Sequence, residues 1–212
     1  MGAESTNWKG EGETSIQVWA LDKETLEVNG KTSIGTGATD RLSDICTYSD
    51  LVIVAGSSTG AWDGGWSGMG SDAVLGLFDP ITDYAYWKVS FHSDEVQHDN
   101  EVVAVATIEG PNDYGLVYAA ATVGGSQVLS TSGKGGTSDA LLGCWKADNG
   151  ELEWIRVLGS GGDDRATSLT IESERIYISW VTDGEKAWVS MFSQCELGVG
   201  CNVFVYIARV LF

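Results

Sequence analysis

The sequence predicts an all-β protein assembled from tandem four-stranded antiparallel sheets. Two observations lead to this prediction. The apolar segments are short, rich in β-branched and aromatic residues and bounded by Gly, Asp, Ser and Thr, whereas helical periodicity is almost absent. Similar segments also recur in the same order about every 60 residues. Glycine contributes 28 of the 212 residues and proline only 2, which suits tight turns and excludes collagen and proline-rich linkers.

One apolar strand is present three times along the chain. Its copies start at Leu51 (LVIVAGSS), Leu116 (LVYAAATV) and Arg175 (RIYISWVT), spaced by 65 and 59 residues. The following strand is repeated too, because 71–78 (SDAVLGLF) matches 138–145 (SDALLGCW). This recurrence in a fixed order predicts one structural unit that is used several times.

The remaining parts of the unit also recur. A turn and a strand ending in tryptophan follow, at Trp87 and Trp154, and an earlier copy of the third strand with its turn lies at 16–25. An acidic corner precedes each first strand: Asp40-Arg41, Asp99-Asn100-Glu101 and Asp163-Asp164-Arg165. Each unit therefore holds four strands, which in the middle unit are predicted at 101–108, 116–123, 139–146 and 151–158.

Four antiparallel strands per unit describe one blade of a β-propeller. Blades pack on their neighbours through both faces, so their inner strands can be apolar on both faces, as in the non-alternating VVAVA of 102–106. Within a single domain, 1–212, we expect a partial blade at 15–28, complete blades at 42–91 and 101–158, and a partial blade at 163–212. Full propellers have about four to eight blades, so the sequence predicts an incomplete or open ring.

Several motifs carry a resemblance to known repeats. The segment 138–184 contains Ser-Asp-Ala-Leu, Gly-Glu-Leu-Glu-Trp, Gly-Gly-Asp-Asp and Ile-Tyr-Ile in that order. It resembles the seven-bladed β-propeller (SBBP-type) repeat of bacterial and other surface proteins. The hairpin at 19–25, Trp-Ala-Leu-Asp-x-x-Thr, is more weakly similar to quinoprotein-type propeller repeats. The resemblance covers roughly 15–184 and implies the fold without an activity. The enlarged loop 57–71 and residues 185–202 depart from the pattern.

The net charge of the chain limits the classes of partner that we expect it to bind. The chain has 30 acidic and 12 basic side chains, a formal net charge of −18 and a pI near 4.2. Phosphate-backbone binding needs clustered Lys and Arg, so nucleic acid is not an expected partner. No apolar run approaches the roughly 18 residues of a membrane span, and no signal peptide is visible in this chain. The acidic net charge and the disulfide predicted below, between Cys195 and Cys201, favour a secreted or surface-displayed protein.

The four cysteines fall into two groups. Cys195 and Cys201 bracket a glycine-containing loop short enough to permit a disulfide in an oxidising compartment. Cys46 and Cys144 lie within apolar strands, and we expect them to be buried free thiols. The sequence contains no Cys-x-x-Cys pair, so neither a zinc knuckle nor a thioredoxin-type site is indicated.

The C-terminal segment 203–212 (VFVYIARVLF) is strongly apolar and carries one charge. A free edge of this kind invites pairing with another strand. We expect it to be covered by a strand of another copy or another protein, through β-augmentation, or by residues outside this sequence. The alternative is pairing inside the chain with the strand at 15–21.

Few residues point to a ligand. Asp99, Asp163 and Asp164 are candidate Ca²⁺ ligands, the only cofactor considered, although Asp also caps turns by hydrogen-bonding its own backbone. His92 and His98 lie in an acidic connection that is read more simply as a polar linker than as a transition-metal site.

The glycine-rich loop 57–70 is the most unusual stretch of the sequence. It carries Trp62 and Trp66, which as exposed aromatics would stack on a sugar ring or pack into a protein partner. The alternative is that both indoles tuck back over the edge of the blade. A phosphate-binding loop is disfavoured, because no Lys-Ser/Thr follows and no helix begins there.

No catalytic set rises above background, because no nucleophile-elbow motif is present. The sequence therefore favours a non-enzymatic structural or adhesive module that assembles through exposed strand edges. Two alternatives stay open: a propeller enzyme, either a hydrolase or a quinone-dependent dehydrogenase, and a scaffold that binds a peptide or a glycan.

Overall fold

A computed structural model describes residues 2–7, 14–63, 70–91, 98–109, 115–125, 127–128, 131–173, 175–183, 186–193 and 208–210. Throughout these ranges the regular structure is β, and every named strand pair is antiparallel. The same ranges contain no helix long and apolar enough to cross a membrane. The predicted fold class is confirmed, because a three-stranded sheet and three four-stranded antiparallel sheets follow one another in a propeller-like array.

Four larger sheets follow one another along the chain, and we number them blades 1 to 4. Blade 1 contains β1 (Gly2–Asn7), β2 (Thr14–Leu21) and β3 (Val28–Ile34). Blade 2 contains β4 (Asp40–Tyr48), β5 (Leu51–Ser58), β6 (Asp72–Asp79) and β7 (Tyr84–Phe91). Blade 3 contains β8 (Glu101–Glu109), β9 (Gly115–Gly124), β12 (Ser138–Lys146) and β13 (Leu152–Leu158), and β10 (Gln127–Val128) pairs with β11 (Thr131–Ser132) in a separate small hairpin. Blade 4 contains β14 (Asp164–Glu172), β15 (Arg175–Thr182), β16 (Lys186–Ser193) and β17 (Ala208–Val210).

Blades 1 and 4 hold more strands than the sequence suggested. Blade 1 gains β1, which pairs along β2 from Gly2 opposite Trp19 to Asn7 opposite Thr14. Blade 4 gains β16, at 186–193, in a stretch that was expected to depart from the repeat. The sequence of that stretch shares no motif with the other third strands, so the repeat did not indicate β16, although it pairs with β15 along its whole length.

The described part of the C-terminal segment pairs inside the chain, with a strand that the sequence did not indicate. Within the predicted strand 203–212, the described residues 208–210 pair with β16 of the same chain, with Ala187 opposite Val210 and Val189 opposite Ala208. These three residues do not pair with the strand at 15–21, and β-augmentation by another copy or another protein stays a prediction. Because β16 was not foreseen, the edge that it offers to β17 was not foreseen either.

Three hydrophobic cores lie between successive blades. Because successive side chains of an inner strand point to opposite faces of the sheet, its residues are divided between two of these cores. In β5, Ile53 and Ala55 join the core between blades 2 and 3, whereas Val52 and Val54 join the core between blades 1 and 2. The third core lies between blades 3 and 4. This face-to-face packing explains why the inner strands are apolar on both sides. Within the described residues no fourth core joins blade 4 to blade 1, so the described part of the array is open.

Bulges recur at fixed places and identify equivalent strands. Each first hairpin of blades 2, 3 and 4 is irregular near the start of its first strand: between Leu42 and Asp44, Val102 and Ala104, and Ala166 and Ser168. The hairpin of the third and fourth strands is irregular between Leu77 and Phe78 and between Cys144 and Trp145. The hairpin of β2 and β3 has the same irregularity between Ala20 and Leu21. Blade 1 therefore consists of the second, third and fourth strands of a blade within the described residues.

Aromatic side chains join the blades near their outer edges. Trp87 is 8 % exposed, and its indole N–H donates to the carbonyl oxygen of Ala147 in blade 3 at 2.8 Å. Gly150, with φ of +72°, lies against that indole, where an added Cβ would be 2.8 Å from the ring. Phe91 stacks on Trp145 with ring centroids 5.6 Å apart. Blades 2 and 3 are thus joined by directional contacts as well as by apolar burial.

Candidate functional site

The first strands of blades 2, 3 and 4 begin on the same side of the array, where they line a groove of about 610 Å³. Six hydroxyl-bearing residues line it: Thr39, Ser57, Thr59, Ser71, Thr122 and Ser138. Four charged residues also line it: Arg41, Asp99, Glu101 and Arg165. The groove is therefore polar, with both signs of charge.

A buried polar residue fixes the start of each first strand. In blade 2 this residue is Asp40, which is fully buried. Its carboxylate accepts the backbone N–H of Thr36 at 2.8 Å and the hydroxyl of Ser58 at 2.6 Å. Because Ser58 lies opposite Asp40 on β5, this contact ties the loop before β4 to the end of the second strand.

Blades 3 and 4 repeat this arrangement. Asp164, also fully buried, accepts the backbone N–H of Ser160 at 2.6 Å and the hydroxyl of Thr182 at 2.5 Å. In blade 3 the equivalent residue is Asn100, whose amide donates to the carbonyl oxygen of Ser71 at 3.1 Å and accepts the N–H of Gly124 at 2.8 Å. We call Asp40, Asn100 and Asp164 the corner residues. They hold the backbone so that the next side chain lines the groove.

The residues after the corners are Arg41, Glu101 and Arg165. Both arginines are exposed, and neither forms a salt bridge with a carboxylate in the described ranges. Glu101 is half-buried and accepts a hydrogen bond from the hydroxyl of Ser43, the bulged residue of β4. Two of the five arginines of a chain with net charge −18 thus line one groove.

A sequence signal for this arrangement was present and was not used. The corner loops read Gly-Thr-Gly-Ala-Thr-Asp at 35–40 and Gly-Ser-Gly-Gly-Asp-Asp at 159–164, 124 residues or two blades apart. Each first glycine lies against its corner carboxylate, because an added Cβ at Gly35 or Gly159 would be 2.7 Å from the Oδ2 atom. Glycine is therefore required at the first position of the loop, and the repeat of the whole motif identifies the groove.

The three calcium candidates are not gathered into a cluster. Asp163 accepts the backbone N–H of Thr137 at 2.5 Å and its hydroxyl at 2.9 Å, and these hydrogen bonds lower the pKa of the Asp163 carboxyl. Asp164 serves as a corner residue, and the exposed Asp99 belongs to another blade. Nowhere in the described ranges do three or more His, Cys, Asp or Glu residues approach closely enough to hold a metal ion. Asp164 accepts the backbone N–H of Ser160 in its own loop, as a turn-capping Asp does, whereas Asp163 accepts from Thr137 of the preceding blade.

The two histidines and the two candidate tryptophans are placed differently from one another. His92 and Trp66 lie outside the described residues. His98 is half-buried just before the corner of blade 3. Trp62 is 1 % exposed in the core between blades 1 and 2, where its indole N–H donates to the carbonyl oxygen of Leu75 at 3.2 Å. The expectation of an exposed binding residue is corrected for Trp62, because burial of the large ring with a satisfied N–H leaves no face for a ligand.

The thiols of Cys46 and Cys144 are free. Burial raises the pKa of Cys46 to about 12, with a further contribution from the charge of Asp44, and burial also raises the pKa of Cys144 to about 12. Both are therefore protonated and unreactive at neutral pH. Cys144 is buried as expected, whereas Cys46 is only half-buried. The predicted disulfide between Cys195 and Cys201 lies outside the described residues.

Comparisons with known proteins give a structural likeness and no family. No family model matches the sequence, and no curated protein matches it. Among solved structures, the chain is similar to an α-L-arabinofuranosidase (CtGH43) from Clostridium thermocellum ATCC 27405, with a TM-score of 0.39 and 9% identity over 96% of this chain and 72% of that chain. A likeness at this level says nothing about activity.

Proposed function

We propose that this protein is a non-enzymatic adhesive module that binds a carboxylate-bearing oligosaccharide, such as a short uronic-acid chain, in the groove of blades 2 to 4. The observation that carries the proposal is the pair of exposed arginines, Arg41 and Arg165, which form no salt bridge within the described residues and lie in a groove lined by hydroxyl groups. A secreted or surface location and assembly through strand edges belong to the same proposal.

The chemistry of the groove suits such a ligand. A guanidinium group presents a planar fork of N–H donors that matches a carboxylate, and charge-assisted hydrogen bonds of this kind are about twice as strong as neutral ones. Hydroxyls such as that of the exposed Thr59 can donate to and accept from sugar hydroxyl groups, and Glu101 accepts from them. The strongly negative chain repels other anions, so the two arginines confine binding to the groove.

Arginine substitutions test the proposal. We expect Arg41→Ala and Arg165→Ala each to weaken the binding of trigalacturonic acid at least tenfold, because each removes a hydrogen bond to a charged group worth about 1.5–3 kcal/mol. Arg41→Lys keeps the charge without the fork and should recover only part of the affinity. Isothermal titration calorimetry at low and physiological salt gives the dissociation constants. The matched control is Arg175→Ala, an exposed arginine outside the groove.

Two outcomes would overturn this function. Equal affinity for galactotriose, which lacks carboxylates, would remove the role of the arginines. Cleavage of either oligosaccharide, followed by chromatography of the products, would make the protein a hydrolase rather than an adhesive module.

A further inference from the structure

Two buried carboxyl groups meet at the boundary between blades 3 and 4, next to the groove. Asp139, at the start of β12, is 2 % exposed, and the corner residue Asp164 is fully buried. Gly159 lies between them: an added Cβ at that position would be 2.6 Å from Oδ1 of Asp139 and 2.7 Å from Oδ2 of Asp164. Both oxygen atoms therefore lie within 2.7 Å of one point, and only a glycine fits there.

The hydrogen bonds of the two groups are unequal. Asp164 accepts from Ser160 and Thr182, one through each carboxylate oxygen. Oδ2 of Asp139 accepts the backbone N–H of Lys134 at 2.9 Å, but Oδ1 is buried without a hydrogen-bond partner. A buried ionised oxygen that lacks a donor is costly, and a neighbouring carboxylate increases the cost.

At each of the other two blade boundaries, only one of the two positions equivalent to Asp139 and Asp164 holds a carboxyl group. The position equivalent to Asp139 holds Ser15 in blade 1 and Asp72 in blade 2, as the common bulges show. The corner residue of the following blade is Asp40 in the first case and the neutral Asn100 in the second. The boundary between blades 3 and 4 therefore holds one more negative charge than its equivalents when both acids are ionised.

We propose that Asp139 is protonated in the folded protein at neutral pH, so that the boundary between blades 3 and 4 carries one negative charge beneath the groove instead of two. The proton removes the cost of a buried ionised oxygen that lacks a donor, and it leaves the single charge of the equivalent boundaries. No cation is required to offset the charge at this boundary.

The surrounding charges agree with this assignment. Burial raises the pKa of Asp139, and the charge of Asp164 raises it further, whereas the N–H and the charge of Lys134 lower it. Two further carboxylates lie on the adjoining turns. That of Asp163 accepts from Thr137, and that of Asp183 accepts the N–H of Asp163.

The sign of the pH effect follows from the raised pKa. Between the unfolded value, near 3.8, and the higher folded value, the folded state holds the proton and the unfolded state does not. This group therefore stabilises the protein most at acidic pH, and its contribution is lost as the pH rises toward the folded pKa. A neutral side chain of the same shape removes the loss.

Thermal unfolding of Asp139→Asn from pH 4 to pH 8.5 tests the inference. We expect the variant to unfold at least about 2 °C above the wild type at pH 8, with the gap closing toward pH 4. In infrared spectra at pH 7, the wild type should show the carbonyl band of a protonated carboxylic acid, which the variant lacks. Asp72→Asn, the same change facing the neutral Asn100, is the matched control and should show no gain that grows with pH.

Two results would overturn the proposal. A decrease in Tm for Asp139→Asn that is the same at every pH, with no acid band in the wild type, would show that Asp139 is ionised. A rise in the wild-type Tm on adding Ca²⁺ that Asp139→Asn abolishes would show that the pair holds a cation instead of a proton.

Discussion

Replacement of Trp62 by alanine is expected to lower the free energy of unfolding by about 3–5 kcal/mol, the range for a buried tryptophan. The indole fills the core between blades 1 and 2 and meets Phe78 edge-on, with ring centroids 6.1 Å apart. Its removal leaves a cavity and deprives the carbonyl oxygen of Leu75 of a donor. Because this core joins blade 1 to the rest of the array, the loss should affect blade 1 most.

Urea unfolding followed by circular dichroism measures this effect. Ile81→Ala is the matched control, because Ile81 is 64% exposed and its truncation should change stability by no more than about 0.5 kcal/mol. A Trp62→Ala variant as stable as that control would mean that the indole does not pack in the core. Such a result would restore Trp62 as a candidate for ligand stacking.

Alanine in place of Gly56 is expected to destabilise the protein by about 2–4 kcal/mol, which lowers Tm by roughly 5–15 °C. Gly56 lies on β5 opposite Leu42, beside the bulge of β4. An added Cβ would overlap the carbonyl oxygen of Arg41 and lie 3.2 Å from the backbone nitrogen of Ser43. Because these atoms belong to the backbone, β4 has to move away from β5, and Arg41 moves with it.

Differential scanning calorimetry of Gly56→Ala, with Gly161→Ala as control, tests this prediction. Gly161 has no other atom within 4 Å of an added Cβ and does not have a positive φ, so its substitution should leave Tm nearly unchanged. If Gly56→Ala folds, trigalacturonic acid should bind to it more weakly as well. Equal Tm values for the two variants would contradict the close approach of β4 and β5.

Much of the fold could be predicted because the same pattern is repeated. The Ser-Asp-Ala segments at 71–73 and 138–140 placed β6 and β12 before any geometry was known. The third strand of blade 4, 186–193, has Lys-Ala-Trp in that place and could not be found by matching. Its assignment depends on pairing with β15, which is a long-range property of the folded chain.

The groove was harder to predict than the fold. Arg41 and Arg165 were recognised as parts of the acidic corners, but a one-residue change of register would turn either side chain to the opposite face of its strand. The bulges that follow them set that register. For Trp62 the sequence allowed both an exposed and a buried indole, and only the packing between two blades distinguishes them.

The open arrangement of the blades has a consequence for how the protein loses its structure. Blades 2 and 3 are covered by a neighbour on each face, whereas each terminal blade shares a single core with the rest of the described chain. In a linear stack, the units at the two ends lack one set of nearest-neighbour interactions and open at lower free energy. Amide hydrogens of β2 and β15 should therefore exchange with solvent deuterium well before those of β5 and β9, so that unravelling advances from both ends toward the middle.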